Sequence, residues 1–146
     1  MRFPMKNTAA SELNHLMREI LVAEQQVYDR RARQVGVTLP QARTLGFIAQ
    51  HPGVNQREIA DHFHRRGASV SNLLKILERD GLIVKNASHG TQNRSNRITL
   101  TAAGQAKVVA LTTIFTDVED QLTTQLSPAD SQQLIALLRR VQLPRD

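Results

Sequence analysis

The sequence predicts a mainly α-helical chain that carries one small β-hairpin. Three observations lead there. Apolar residues recur at helical spacing over six segments. The period changes once, after Gly81, to two short runs of strand character. Helix caps and breakers punctuate the segments in order. With 146 residues, the chain is long enough to bury one core and to carry an appendage.

In the first segment Leu13, Leu16, Met17, Ile20, Leu21, Val27 and Tyr28 share a helical period. Arg30, Arg31 and Arg33 fall in its last turns, where cations suit the helix dipole, and Gly36 supplies the stop. Thr38 caps a second helix with Pro40 in its first turn; Ala42, Leu45, Ile48 and Ala49 line one face, and His51-Pro52-Gly53 ends it. A short third helix opens at Asn55, with Glu58 at capping-box spacing and Ile59, Ala60 and Phe63 turned inward. The fourth runs from about Ala68, buries Val70, Leu73, Leu74 and Leu77, and stops at Gly81. Leu82–Lys85 and Arg97–Leu100 read as strands around a polar, turn-rich tip. Thr101 caps a long fifth helix in which Val108, Leu111, Phe115, Val118 and Leu122 form a heptad-like seam. Ser127-Pro128-Ala129-Asp130 starts a sixth, carrying Leu134, Leu137, Leu138 and Val141.

Composition removes several classes of function. The chain has no cysteine, so disulfides, thiolate nucleophiles, Cys-type zinc sites and thiol redox sensing are excluded. Aromatics make up 3%, too few for a single-strand binder that stacks bases. His62 and His64 stand two apart and diverge on a helix, and His15, His51 and His89 add no ligand spacing, so no metal site is expected. No catalytic grouping, P-loop or dinucleotide fingerprint occurs; neither a catalytic residue nor a cofactor is expected, and the chain does not read as an enzyme. No segment has the length and apolarity of a transmembrane helix, and the start lacks a signal-peptide core; a cytoplasmic protein without membrane contact is the expectation.

Charge is concentrated in the middle. Residues 62–100 carry seven basic side chains against two acidic ones, which is most of the chain's excess of +6. A local basic block points to an anionic polymer or surface. The same block contains a short helix, a few connecting residues and a second helix, followed by the hairpin, which is the layout of a helix-turn-helix. In that motif the second helix lies in the major groove of duplex DNA. Burying Val70, Leu73, Leu74 and Leu77 leaves Ser69, Ser71, Asn72 and Lys75 free to meet base edges. Arg65 and Arg66, just before that helix, with Arg79 and Lys85, suit backbone phosphates. Arg94 and Arg97 on the hairpin suit the minor groove, whose negative potential favours guanidinium.

Three stretches carry a resemblance to a known family. NQREIAD (residues 55–61) resembles the helix before the recognition helix in the MarR family of bacterial transcription regulators. SVSNLLKILERDGLI (69–83) resembles that family's recognition helix and its exit into the wing, and ITLTAAG (98–104) the second wing strand leading into the long helix. The resemblance extends over essentially the whole chain. It implies a winged helix-turn-helix and an intertwined helical homodimer, in which the first helix and the last two form the dimerisation region. It also implies a small, often aromatic or phenolic ligand lodging between the dimerisation and DNA-binding parts. The family's wing commonly carries Asp-x-Arg. The arginine matches Arg94, but Gln92 stands at the acidic position, which leaves Asn93 or Asn96 to orient Arg94 and Arg97 as the alternative minor-groove residue.

The expected division is therefore residues 1–36 for dimerisation, 37–100 for the winged DNA-binding domain and 101–146 for further dimerisation helices. Leu13, Leu16, Val108, Leu111, Phe115, Val118, Leu122, Leu134 and Leu138 are the expected dimer contacts. His15, Arg18, Tyr28 and Phe47 are the candidate lining for a small aromatic or anionic effector. The function expected is that of a dimeric repressor of a pseudo-palindromic operator, with double-stranded DNA and a second copy of the chain as partners. The rival reading is a dimeric winged-helix scaffold whose basic face meets an acidic protein.

Overall fold

The structure, a computed structural model, describes residues 8–86 and 96–145. Its order is α1 (Ala9–Gln34), α2 (Leu39–Gln50), α3 (Gln56–Phe63), α4 (Gly67–Arg79), β1 (Ile83–Asn86), β2 (Arg97–Leu100), α5 (Ala102–Gln121) and α6 (Pro128–Arg140). The six helices and the hairpin are those the sequence predicts. Among the described residues, no helix is long and apolar enough to cross a membrane.

Local chemistry accounts for the helix ends. Thr38 accepts from the Gln41 N–H while the Gln41 side chain accepts from the Thr38 N–H, and Asn55 with Glu58 and Ser127 with Asp130 repeat that reciprocal cap. Three helices end in one way. After α1, Gly36 takes a φ of +86° and the Val37 N–H donates back to Ala32 O. After α4, Gly81 takes +73° and the Leu82 N–H donates to Leu77 O. At the end of α3 the left-handed residue is His64, at 52°, with the Arg65 N–H donating to Ala60 O. This motif also moves one boundary. Leu82, expected in the first strand, is engaged in ending α4, so β1 starts at Ile83.

β1 and β2 pair antiparallel, from Ile83 opposite Leu100 to Asn86 opposite Arg97. β2 also bridges to Val54, just before α3: the Ile98 N–H donates to Val54 O and the Gly53 N–H to Ile98 O, each at 2.9 Å. The hairpin is thus tied at its base to the helix-turn-helix.

One cluster of buried residues runs from Ala32 to Leu111 and takes in α2, α3, α4 and both strands. Leu45, Ile59 and Leu74 at its centre are fully buried, each contributing about 1.5–3 kcal/mol of apolar transfer. Thr44 is buried as well and donates its hydroxyl to Pro40 O. A smaller cluster joins Tyr28, Leu39 and Val118, with the Phe115 ring edge-on to Tyr28 at 4.9 Å.

Part of the expected dimer seam on α5 serves the chain's own core. Leu111 and Val118 are buried within their own chain, and Val108 and Phe115 pack against the same core, because α1 and α2 lie across that face of α5. Lys107 Nζ donates to Val35 O at the end of α1, and Arg31 pairs with Asp117 at 3.6 Å. The remaining expected dimer residues, Leu13, Leu16, Leu122, Leu134 and Leu138, are exposed in the single chain.

Two tight junctions fix the start of α5 against the link from α4 to the hairpin. The Thr101 hydroxyl donates to Gly81 O at 2.6 Å and accepts from the Gly104 N–H at 3.0 Å. Gly104 lies so close to Leu82, just before β1, that a Cβ there would overlap the carbonyl oxygen of Leu82.

Candidate nucleic-acid interface

α4 divides into two faces as its spacing predicts. Val70, Leu74 and Leu77 are buried, with Leu73 half-buried beside them. Ser69, Asn72 and Lys75 are exposed, and Ser71 is half-buried. Ser69, Ser71 and Asn72 lie in the first half of α4 and Lys75 just past its midpoint, with the three exposed residues turned away from the core. Arg66 is the N-cap residue of α4 and is exposed; its guanidinium, which has no acceptor, makes no cap. Arg65 is exposed beside it.

Not all expected phosphate residues gather there. Arg79 lies at the far end of α4, roughly 15 Å from Ser69 along the axis at about 1.5 Å per residue, and its Nε meets the Asp80 carboxylate at 3.3 Å. Lys85 is half-buried on β1 and faces the start of α3. Arg97 is exposed on β2, opposite Asn86. Arg94, Gln92, Asn93 and His89 lie outside the described residues.

The structure adds a feature the sequence does not display. A cleft of about 600 Å³ lies between α3, the α3–α4 turn and the hairpin. Arg57, Arg65 and Lys85 line it, with Asp61 as its one acid and Asn96 on the hairpin side. Gln56 closes one edge by donating its side-chain amide to Gly67 O at 3.2 Å.

The candidate effector residues fall into separate surroundings. Tyr28 is buried against Phe115. Burial pushes its phenol above the usual value and the Glu24 and Glu119 carboxylates add to this, with Arg43 opposing. Phe47 is sandwiched between the imidazoles of His51 at 4.4 Å and His62 at 4.1 Å, with Phe63 edge-on. His15 is exposed and pairs with Glu19 at 3.0 Å, and Arg18 is exposed on the same helix. A second, larger groove of about 1710 Å³ lies between the start of α1 and the C-terminal residues, lined in part by Leu13, Met17, Leu138, Val141 and Leu143. It contains none of the four.

Comparison with known proteins agrees with this geometry. The family model that matches is that of the MarR family, over residues 35–92, the stretch from the end of α1 into the hairpin. The chain is similar to MepR, a transcription regulator of the Staphylococcus aureus multidrug efflux pump MepA, at 36% identity over 87% of this chain and 93% of that one, with a TM-score of 0.77. A MepR–DNA complex from the same organism matches at 36% identity and a TM-score of 0.70, over 87% of this chain and 91% of that one. The HTH-type transcriptional repressor Rv2887 of Mycobacterium tuberculosis is 25% identical over 107 residues, 73% of this chain and 76% of its own. On the shared winged helix-turn-helix, its matching stretch and identity over nearly the full length, the chain belongs to the MarR family of transcription regulators.

Proposed function

We propose that the protein is a sequence-specific duplex-DNA-binding repressor that acts as a homodimer on a pseudo-palindromic operator and is released by a small molecule. The observation that carries the reading is the outer face of α4. Its buried stripe turns Ser69, Asn72 and Lys75 outward together, with Arg65 and Arg66 at the helix start and Lys85 and Arg97 on the adjoining hairpin. Short polar groups at a helix start match base edges, and the flanking cations match phosphates. The similarity to MepR, for which a DNA complex is known, supports the same reading. Arg94 is assigned to the minor groove on the family resemblance alone.

The dimer is supported by what the single chain leaves uncovered. α6 buries none of its 13 residues. Leu134, Ile135, Leu137 and Leu138 on it are exposed, as are Leu13, Leu16, Ile20 and Leu21 on α1. A short helix without packing is marginal in water, so this surface calls for a second copy. Residues 1–36 and 101–146 then serve dimerisation and 37–100 serve DNA, although the core itself continues across both boundaries. The effector is a small aromatic or anionic molecule. Tyr28, an aromatic phenol donor next to α5, is the strongest of its candidate contacts.

The test is a titration of the full chain with duplex DNA from upstream of its own coding sequence and with a shuffled duplex, at low and physiological salt. The expected result is a preference of about a thousandfold or more, with affinity falling as salt rises. Equal affinity for both duplexes overturns sequence specificity. Absence of binding at low salt overturns the DNA reading and favours an acidic protein partner.

A further inference from the structure

The cleft between α3 and the hairpin has a chemistry of its own. Three of its lining side chains are cations, Arg57, Arg65 and Lys85, against the single carboxylate of Asp61. Among the described residues, none of the three cations lies within ion-pair distance of a carboxylate. They reach the cleft from three separate elements: Arg57 from α3, Arg65 from the α3–α4 turn and Lys85 from β1. Such convergence of like charge gives the cleft a positive potential that favours an anion.

Hydrogen bonds tie the elements around the cleft together. Its floor is Ala60 and Ile98, both buried. Ile98, the partner of Lys85 across the hairpin, donates to Val54 O and accepts from the Gly53 N–H, each at 2.9 Å, so the backbone that carries Lys85 is tied to the foot of α3, which carries Arg57. The Gln56 amide pins the start of α4 to the start of α3 at the cleft's edge. Two guanidinium forks and an ammonium around one cleft suit the two free oxygens of a phosphodiester.

We propose that this cleft seats a sugar–phosphate unit of the DNA backbone flanking the groove entered by α4, with Arg57 as a direct phosphate contact. The proposal rests on the DNA reading above and adds to it a contact that fixes the register of α4 without reading a base. Asp61 is its counterweight and limits how strongly the cleft holds any duplex.

The test measures the full chain and the variants Arg57→Gln, Arg57→Lys and Asp61→Asn on the upstream and shuffled duplexes over a salt series. Arg57→Gln should weaken both duplexes by the same factor and flatten the slope of log affinity against log salt by about 0.9 for each subunit. Arg57→Lys should keep the slope. Asp61→Asn should tighten both duplexes, with the preference between them unchanged. A melting curve for each variant that matches wild type assigns the effects to charge. If the wild type binds DNA while Arg57→Gln keeps its affinity and slope, the cleft is not a phosphate seat and the DNA reading stands. A change in preference for one base pair at constant slope overturns it too, since Arg57 then reads a base. Failure of the wild type to bind either duplex removes the DNA reading and this inference with it.

Discussion

Gly104 is the residue whose replacement has the clearest consequence. Its missing side chain lets the start of α5 lie directly against Leu82, so a methyl group there must push the two backbones apart. Gly104→Ala is expected to cost about 1–3 kcal/mol, as overpacking does in a tight core, and the urea midpoint reads it. On the DNA side, Asn72 stands exposed in the first half of α4. Asn72→Ala is expected to relax base preference at one position per half-site by about 1–3 kcal/mol, with folding unchanged. An unaltered base-substitution profile would remove its assigned role. The polar face of α4 is legible in the sequence because it is the complement of a periodic apolar stripe. Arg57 is not, because it lies far from Lys85 in the chain and the Val54–Ile98 bridge, with the shared core beneath it, brings α3 beside the hairpin. The sandwich of Phe47 between His51 and His62 is hidden for a similar reason: it joins α2 to α3 across a turn.

Between elements, the corner from α1 to α2 shows how a single carboxylate serves two helices. Asp29 accepts from Arg33 Nε at 2.8 Å on its own helix and from the Leu39 N–H at 3.2 Å at the start of α2. The Arg33 hydrogen bond first, and the Leu39 N–H second, hold its carboxyl below the ordinary value of 3.8. Since the folded value is the lower one, its contribution to stability is complete above the ordinary carboxyl value. It is lost as pH falls through the lowered folded value. Asp29→Asn is therefore expected to lower the urea midpoint at pH 7, and the difference between the two proteins should shrink as pH falls through and below the lowered carboxyl value. Capping and stop signals make the helices legible in order, since each depends on residues within a few positions of the helix end. The first strand begins one residue late for the opposite reason: Leu82 is apolar and strand-like by composition, yet its N–H is taken by Leu77 O.

In the whole molecule, the apolar seam of α5 illustrates what periodicity can and cannot say. Stepping by three and four shows that Leu111, Val118 and Leu122 face something apolar, but not whether that partner is the same chain. Leu111 and Val118 face their own chain, and Leu122 is uncovered. α6 is the sharper probe of the proposed dimer because no residue of it is buried in the single chain. Leu138→Glu is expected to leave the monomer fold intact and yield a monomer in sedimentation. It should lose the preference for the upstream duplex while retaining weak, salt-sensitive binding to any duplex. A variant that remains dimeric would move the interface away from α6. The junction at Gly104 has a reach beyond its own packing. From there to Gln121, α5 rises about 25 Å, and a tilt of about 5° at its foot displaces the far end by about 2 Å. Position 104 is thus the fulcrum of a lever. In the proposed dimer, one extra methyl group there would alter the distance between the two reading heads without touching either of them.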